Sequence, residues 1–307
     1  MTLEKIGLFH NDVFRWRIEQ FKKSLINFWD NLKRRKSALF ALVFIVVLVV
    51  ISIFPQFFAP NDPAQRAGAI WEPPSPAHLL GTDDVGRDVL SQLIYGTRIS
   101  ILIGFLSASI ALIIGMIVGV VSGFYGGIIG ELLMRTTDFF LIIPNFPLMV
   151  VLAYTLKPSL ETLSLAIAIG IWTQPARVIY AEVLSLRERP YILRAKVLGA
   201  SNPKILLRYI IPRVMPIAFA MAIINMGWAI PSEAFLSWIG LSDPTQISWG
   251  SMLYYAFMRG SFICGAWWHF IPPGILIMLT VVAFMILGQA VQEISNPKLK
   301  HRGLYAL

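Results

Sequence analysis

Between two long apolar runs lies the segment Pro190-Tyr-Ile-Leu-Arg-Ala-Lys-Val-Leu-Gly-Ala-Ser-Asn-Pro-Lys-Ile-Leu-Leu-Arg-Tyr-Ile-Ile-Pro212, which is basic and amphipathic. Proline suits the first turn of a helix and glycine suits the residue after its last turn. The pattern therefore predicts a short helix that begins at Pro190 and stops at Gly199. Its apolar side is expected to contain Ile192, Ala195 and Leu198.

A second helix is predicted to follow at once. Asn202 and Pro203 resemble an N-cap and a helix-initiating proline, so residues 204–211 are expected to be helical. Two short helices around a sharp turn would form a knob, with Arg194 and Lys196 exposed for ion pairs in the groove of a partner. The same residues also suit a helix that lies on anionic lipid, and the sequence alone leaves both interpretations open.

The composition is that of an integral membrane protein. Hydrophobic residues make up 56% and charged residues 14% of the 307 residues, and the mean hydropathy is +0.68. Soluble domains typically have about 25% charged residues. The single cysteine, Cys264, excludes a disulfide or a Cys-based metal site within the chain. Six membrane-spanning helices are predicted, which makes the fold class all-α, at residues 38–58, 99–121, 132–156, 162–180, 215–235 and 270–290.

The net charge of +9 is concentrated on one side of this six-span arrangement. Residues 1–36, residues 184–213 and the tail after Asn296 together contain 19 of the 26 Lys and Arg residues. Such an excess marks the cytoplasmic side of a membrane protein, so we expect both termini to be cytoplasmic and the charge to contact lipid rather than nucleic acid.

This orientation divides the chain into five segments. They are a cytoplasmic amphipathic segment at 1–37, the first span at 38–58, an extracytoplasmic loop at 59–98, a five-helix core at 99–291 that includes an inner loop at 184–213, and a cytoplasmic tail at 292–307.

Helix-breaking residues are frequent in and beside the spans. A proline removes a backbone donor, and in a membrane the freed carbonyl must be buried in protein or face water. Six such positions favour a bundle that lines a pathway over a passive anchor: Pro144, Pro147, Pro175, Pro231, Pro272 and Pro273. Gly115 and Gly119 form a G-x-x-x-G pattern, which we interpret as helix packing within one subunit.

Four ionisable residues in or near the spans are candidate gate or structural polar residues. Asp138 follows Arg135 by three positions and is expected to pair with it on one helix face. Arg177 is expected to extend its side chain to the inner interface, and Glu233 to cap a helix or to contact another subunit.

Two outer features have plain interpretations. The segment 81–88 is rich in Asp but lacks the spacing of a calcium loop, so it is expected to be a solvated or headgroup-level loop. Five tryptophans could stack on sugars, but an interfacial aromatic belt is the preferred interpretation for Trp228, Trp238, Trp249, Trp267 and Trp268.

Catalytic motifs are missing from the sequence. It contains neither a phosphate-binding G-x-x-x-x-G-K-[ST] pattern nor H-E-x-x-H, and its four histidines are scattered. We therefore expect no enzymatic activity, no cofactor and no metal site in this chain by itself.

Several motifs together resemble one family, the C-type permease subunits of the dipeptide/oligopeptide/nickel ABC importers. The similar stretches are Gly81-Thr-Asp-Asp-Val-Gly-Arg-Asp88 with its continuation to Ser100, Met134-Arg135-Thr-Thr-Asp138 with Pro144, Glu182-Val-Leu-Ser-Leu-Arg-Glu-Arg-Pro-Tyr191 with Leu198-Gly-Ala-Ser201, and Glu233-Ala-Phe-Leu-Ser-Trp-Ile-Gly-Leu241 with Ser248-Trp-Gly-Ser-Met-Leu253. They cover roughly residues 35–300.

The resemblance implies a type I ABC-importer permease fold with a cytoplasmic coupling helix. It further implies a pathway shared with a homologous B-type permease, two cytoplasmic ATPase subunits on the inner loops and an extracytoplasmic substrate-binding protein. The ATPase-coupling residues that it implies here are Tyr191, Leu193, Arg194, Ala195, Lys196, Leu198, Gly199, Ala200 and Ser201.

The chain departs from the family pattern at two places. In the family's Glu-Ala-Ala loop motif, Leu193 stands at the Glu position and Arg194 at the next, while Ala195 and Gly199 match. The C-terminal Asp-Pro-Arg pattern is Asn296-Pro297-Lys298. Both changes bear on partner contacts.

Other functions remain as alternatives. Peptide is the expected cargo, with oligosaccharides or nickel as alternatives for the same machinery. A secondary transporter that needs no ATP, or a membrane scaffold, is the alternative from another class.

Overall fold

The computed structural model describes residues 29–295, and the regular structure within them is helical. The predicted all-α class is thus confirmed. The predicted lead before residue 29 and the tail with Asn296-Pro297-Lys298 lie outside the described residues. The α-helices are α1 (Lys36–Ile53), α2 (Val89–Tyr125), α3 (Gly127–Ile142), α4 (Asn145–Thr155), α5 (Leu160–Ile171), α6 (Thr173–Arg187), α7 (Pro190–Val197), α8 (Asn202–Trp238), α9 (Trp249–Met258) and α10 (Ile271–Ser295).

Four continuous helical segments within the described residues are long and apolar enough to cross a membrane: α1, α2, α8 and the segment Trp267–Ser295 that contains α10. Two further crossings are formed by bent pairs, α3 with α4 and α5 with α6, if each pair is one span. The predicted six spans correspond to these six units, but the third and fourth are broken rather than straight.

The break between α3 and α4 bends the path by 92°. Its cause is local, because a residue before proline is displaced from helical geometry. Ile143 and Pro144 are both extended, with ψ of 125° and 126°. The break between α5 and α6 is 47°, and there Pro175 lacks the N–H that would bond to the carbonyl of Ile171.

Two helices are longer than the predicted segments they contain. The helix that contains the predicted second span begins at Val89, because Asp88 caps α2 by accepting a hydrogen bond from the Ser91 amide at 2.8 Å. The expected separate helix at 204–211 continues into the fifth span. A π-helical segment at Leu206–Ile210 makes room for the prolines that follow, so Pro212 does not end the helix, and the N-cap is Ser201 rather than Asn202.

Helix α2 lies at the centre of the bundle and packs closely on α6. A Cβ atom on Gly115 would lie 2.9 Å from the Ala176 nitrogen, and one on Gly119 would lie 2.7 Å from the Ala176 carbonyl oxygen. Only glycine allows the two backbones to approach so closely. The predicted packing role of the G-x-x-x-G pattern within one subunit is therefore confirmed.

Helices α1 and α10 form the opposite side of the bundle. Ala38, Ile45 and Leu48 belong to one buried apolar cluster with Phe284 and Leu287. At one end of this pair, Arg35 Nη1 lies 2.6 Å from Glu293 Oε2.

Candidate functional site

The segment 190–201, called the coupling segment after the role that the family resemblance predicts for it, consists of α7 and the turn after it. Gly199 has φ of +78°, which favours glycine, and it ends the helix as predicted. The Gly199 amide donates to the Lys196 carbonyl and the Ala200 amide donates to the Ala195 carbonyl, each at 3.0 Å. These two bonds form a Schellman motif, which fixes the direction in which the chain leaves α7.

One face of α7 is anchored in the bundle. Ile192 and Ala195 are buried in an apolar cluster with Phe124 of α2, Val183 of α6 and Ile205 of α8. A displacement of α7 therefore acts directly on three long helices, because packed interiors do not deform continuously.

The opposite face carries an exposed apolar tip, defined as Leu193, Val197 and Leu198. These side chains are 46%, 87% and 79% exposed. Leu198 was predicted on the buried side, and this was wrong because α7 ends at Val197 and the C-cap residue turns outward. Three neighbouring exposed aliphatic side chains form a surface suited to an apolar groove on another protein.

The coupling segment has two charged residues, and a third, Arg213, reaches it from α8. Arg194 and Lys196 are exposed, as predicted. The Lys196 ammonium lies 5.5 Å from the centroid of the Phe124 ring, and the Arg213 guanidinium lies 4.8 Å from that of Tyr191. Both distances are within the range of cation–π contacts, which add to the attachment of α7 to α2 and α8.

The four predicted polar residues do not form the predicted pairs. Arg135 pairs with Glu131 one turn earlier, at 3.3 Å, and not with Asp138. Asp138 instead forms an ion pair with Arg177 of α6. The predicted Arg135–Asp138 pair is wrong, because a partner on a neighbouring helix is not visible in the sequence. The half-exposed Arg177 side chain has an ion-pair partner that the sequence did not indicate. Arg135 and Asp138 still line one hollow of about 400 Å³ beside Arg187.

Glu233 has no exposed surface within this chain, so of its two predicted roles, a helix cap or a contact with another subunit, the second is wrong. Its carboxyl group accepts hydrogen bonds from Ser100 at 3.1 Å and from Ser237 at 2.7 Å. Ser100 Oγ also accepts from the Trp249 amide at 3.1 Å. Glu233 thus joins α8 to α2 and to the start of α9.

Most of segment 81–88 is buried, with Val85 as its exposed residue, which corrects its interpretation as a solvated loop. Asp83 accepts hydrogen bonds from the Val85 and Arg87 amides at 2.9 and 2.8 Å, from Arg87 Nε at 2.7 Å and from Gln92 Nε2 at 2.8 Å. Burial alone would raise the pKa of Asp83, but these donors and the charge of Arg87 outweigh it and lower the pKa below its ordinary value.

The same loop is attached to the start of the last span, where Trp268 Nε1 donates to the Thr82 carbonyl at 3.0 Å. Within the loop itself, His78 Nδ1 lies 3.1 Å from Asp88 Oδ1. Trp268 and Trp249 are buried, so the prediction of a tryptophan belt fails for these two, whereas Trp228, Trp238 and Trp267 are exposed. Among the described residues, no group of three or more His, Cys, Asp or Glu side chains could hold a metal ion.

A cavity of about 430 Å³ lies between α4, α6 and α8. Its polar lining consists of Asn145, Gln174, Asn225 and Ser232, beside the aromatic rings of Phe146 and Trp228. Sequence reasoning missed these residues, since isolated amides in apolar helices have no motif. The helix-breaking prolines were the only signal that pointed to this region.

Comparisons with known proteins match nearly the whole chain. A family model described as a binding-protein-dependent transport system inner membrane component matches residues 111–301. A second model, the N-terminal TM domain of oligopeptide transport permease C, matches residues 25–74.

Named relatives are similar over most of their length. The dipeptide transport system permease protein of Haemophilus influenzae is 36% identical over 287 residues, which cover 91% of this chain and 96% of the relative. The protein of that name from Escherichia coli is 39% identical over 284 residues, covering 90% and 94%. The oligopeptide transport system permease protein of Bacillus subtilis is 32% identical over 288 residues, covering 92% and 93%.

Proposed function

The chain belongs to the family of binding-protein-dependent transport system inner membrane components, among the C-type permeases of the dipeptide and oligopeptide group, and from this membership we propose that it is the permease subunit of an ATP-driven importer of di- and oligopeptides. The family resemblance of its motifs is thereby confirmed. The chain is a multi-pass membrane permease, and its relatives are transport permeases rather than enzymes.

The exposed apolar tip of α7 is the structural observation that supports the ATP-driven part of this proposal. Leu193, Val197 and Leu198 protrude from the bundle, while Ile192 and Ala195 hold the same helix in the packed interior. A helix that is anchored on one face and exposed on the other can transmit a push from a docked protein. We propose that the coupling segment docks in a groove of an ATPase subunit, with Arg194 and Lys196 in ion pairs at its rim.

Transport then follows from rigid-body motion. Two ATPase subunits bind ATP and close, their grooves carry the coupling segments of this chain and of a homologous B-type permease, and the attached helices rock between outward- and inward-facing states. A substrate-binding protein delivers the peptide to the outer face. The ATP is hydrolysed in the partner subunits, because this chain contains no phosphate-binding loop.

The orientation belongs to the same proposal. Residues 1–37, the inner loop at 184–213 and the tail at 292–307 are cytoplasmic, and the loop that follows the first span is extracytoplasmic. The basic residues of these inner segments support this arrangement. The peptide cargo is supported by the names of the relatives, which are dipeptide and oligopeptide permeases.

Purification of the tagged chain from its native membrane in mild detergent tests the proposal. We expect a second permease, P-loop ATPases and a binding protein to co-purify, and the reconstituted assembly to accumulate a labelled dipeptide in vesicles only with ATP. The same vesicles with a labelled oligosaccharide or with nickel are the cargo controls. A chain that purifies alone and moves solute without ATP would contradict the proposal and favour a secondary transporter.

A further inference from the structure

Both broken spans open onto the same cavity, the one of about 430 Å³ between α4, α6 and α8. Asn145 is the first residue of α4, directly after the 92° break, and Gln174 is the second residue of α6, directly after the 47° break. Each break therefore places an amide side chain at the cavity wall. Irregular backbone at membrane depth is tolerated where it lines such a cavity.

The facing wall is formed by α8, and its central polar residue is Asn225. This side chain is only 1% exposed, and within the described part of the chain its Nδ2 atom has no hydrogen-bond partner. A buried amide donor without an acceptor is costly, so native structures rarely contain one without a ligand or water. Asn225 is one of the residues that line the cavity, so its unpaired amide belongs to the cavity wall.

The lining offers amides and aromatic rings but no charge. None of the described residues at this cavity is acidic or basic. Neutral amides can bind the backbone of any peptide, because every peptide presents carbonyl acceptors and N–H donors. Charged lining residues would instead select among peptide side chains. The volume is within the range of about 300–1,000 Å³ that is usual for small-molecule sites.

We propose that this cavity is a transit site for peptide backbone, in which the Asn225 amide donates a hydrogen bond to a carbonyl oxygen of the cargo while Asn145 and Gln174 contact the same backbone from the two breaks. The site rests on the proposed function, and it adds how the permease itself recognises cargo after release from the binding protein. It predicts that the transport rate depends little on the side chains of the peptide and strongly on how well its backbone carbonyl accepts a hydrogen bond.

The test compares dialanine with its thioamide analogue, whose sulfur is a weaker acceptor, in vesicles that contain the complete importer. The wild-type assembly is expected to transport dialanine faster at subsaturating concentration. In Asn225→Leu the ratio of the two rates is expected to fall roughly three- to tenfold, the effect of one hydrogen bond. Discrimination by the binding protein is the same in both assemblies and cancels from this comparison.

Ser232→Ala is the matched control in the same cavity. The Ser232 hydroxyl already donates to the Trp228 carbonyl at 2.7 Å, so its loss should leave the ratio unchanged. An Asn225→Leu assembly that keeps the wild-type ratio would overturn the proposal. If that variant does not assemble, Asn225→Ala, which removes the donor without adding volume, is expected to lower the ratio in the same way.

Labelling of the wild-type assembly gives an answer that needs no variant. A dipeptide with a diazirine group should label residues of α4 or α8 at the cavity during turnover, and labelling confined to other parts of this chain would contradict the site. A failure of the proposed function has a different signature, because the wild-type assembly would then transport neither dialanine nor its analogue.

Discussion

Asp138 of α3 and Arg177 of α6 are 39 residues apart in the sequence and form an ion pair that joins one bent span to the other. Helix α3 ends at the 92° break and α6 begins at the 47° break. The ion pair therefore connects two helices, each of which is separated by a break from the other half of its own span. The contact lies on the same side of the breaks as the hollow lined by Arg135.

Exchanging the two residues of this ion pair should distinguish the contribution of their charges from that of the packing around them. Both side chains are about half exposed, so solvent screening limits the loss from Asp138→Asn or Arg177→Gln to about 0.2–1 kcal/mol of stability. The double variant Asp138→Arg with Arg177→Asp is expected to recover most of that loss. Thermal unfolding in detergent and peptide uptake are the measurements. If the double variant instead loses as much stability as the two single variants together, the ion pair itself does not contribute.

Substitution of Gly199 should uncouple ATP hydrolysis from transport. A left-handed conformation costs an L-residue about 1–2 kcal/mol, so Gly199→Val is expected to disrupt the turn after α7. Uptake per ATP hydrolysed should fall several-fold while the assembly persists. Gly265→Val is the matched control, because Gly265 has φ of +69° and likewise open space around it, but lies between α9 and α10. Equal coupling in the two variants would argue against a role for the turn.

Substitutions at the apolar tip are expected to weaken docking of the ATPase subunits. Leu198→Glu places a charge where an apolar contact is proposed, and it should reduce recovery of the ATPase subunits with the chain at least tenfold, about 1.4 kcal/mol. Leu79→Glu is an equivalent change at an exposed leucine of the outer loop and should have no effect on recovery. Arg194→Glu should weaken docking less and in a salt-dependent manner, since a rim charge acts through screened electrostatics.

Close packing of α2 on α6 predicts a loss of stability from a single methyl group. A Cβ on Gly119 would meet the Ala176 carbonyl oxygen at 2.7 Å, and backbone cannot move aside as a side chain can. Gly119→Ala should therefore lower the free energy of unfolding by about 1–3 kcal/mol, the usual cost of overpacking. Gly274→Ala, where no atom lies within 4 Å, is the control. Equal melting temperatures for both variants would show that the helices separate without cost.

The outer loop predicts an acid-dependent loss of structure. The pKa of Asp83 is below its ordinary value in the folded chain, so its ionised form is favoured by folding. This stabilisation is complete above the ordinary pKa of the carboxyl group and is lost as the pH falls through the lowered value. Thermal unfolding between pH 2 and pH 7 should show this dependence, and Asp83→Asn should be less stable at neutral pH with a flatter profile. A variant that keeps the wild-type profile would assign the acid sensitivity to other groups.

Local signals in the sequence were sufficient for the two ends of α7. Pro190 and Gly199 determine the ends of α7 through backbone geometry alone, and both were predicted. Leu198 was misplaced because helical periodicity was extended one residue beyond the helix. Asp138, Glu233 and Asp83 were misinterpreted for a different reason, since their environment is set by residues that are distant in the sequence or by burial of a loop. The cavity could not be predicted, because its amides come from three helices.

Within the described residues, α1 and α10 pack on each other and are also joined by two polar contacts near their ends, one of them through the loop that follows α1. At one end, Arg35 holds Glu293, and at the other, the loop that follows α1 presents the Thr82 carbonyl to Trp268. A tilt of either helix therefore drags the other and the intervening loop with it. On this side of the bundle, α1, α10 and the loop after α1 therefore form one connected frame, which also packs on α8.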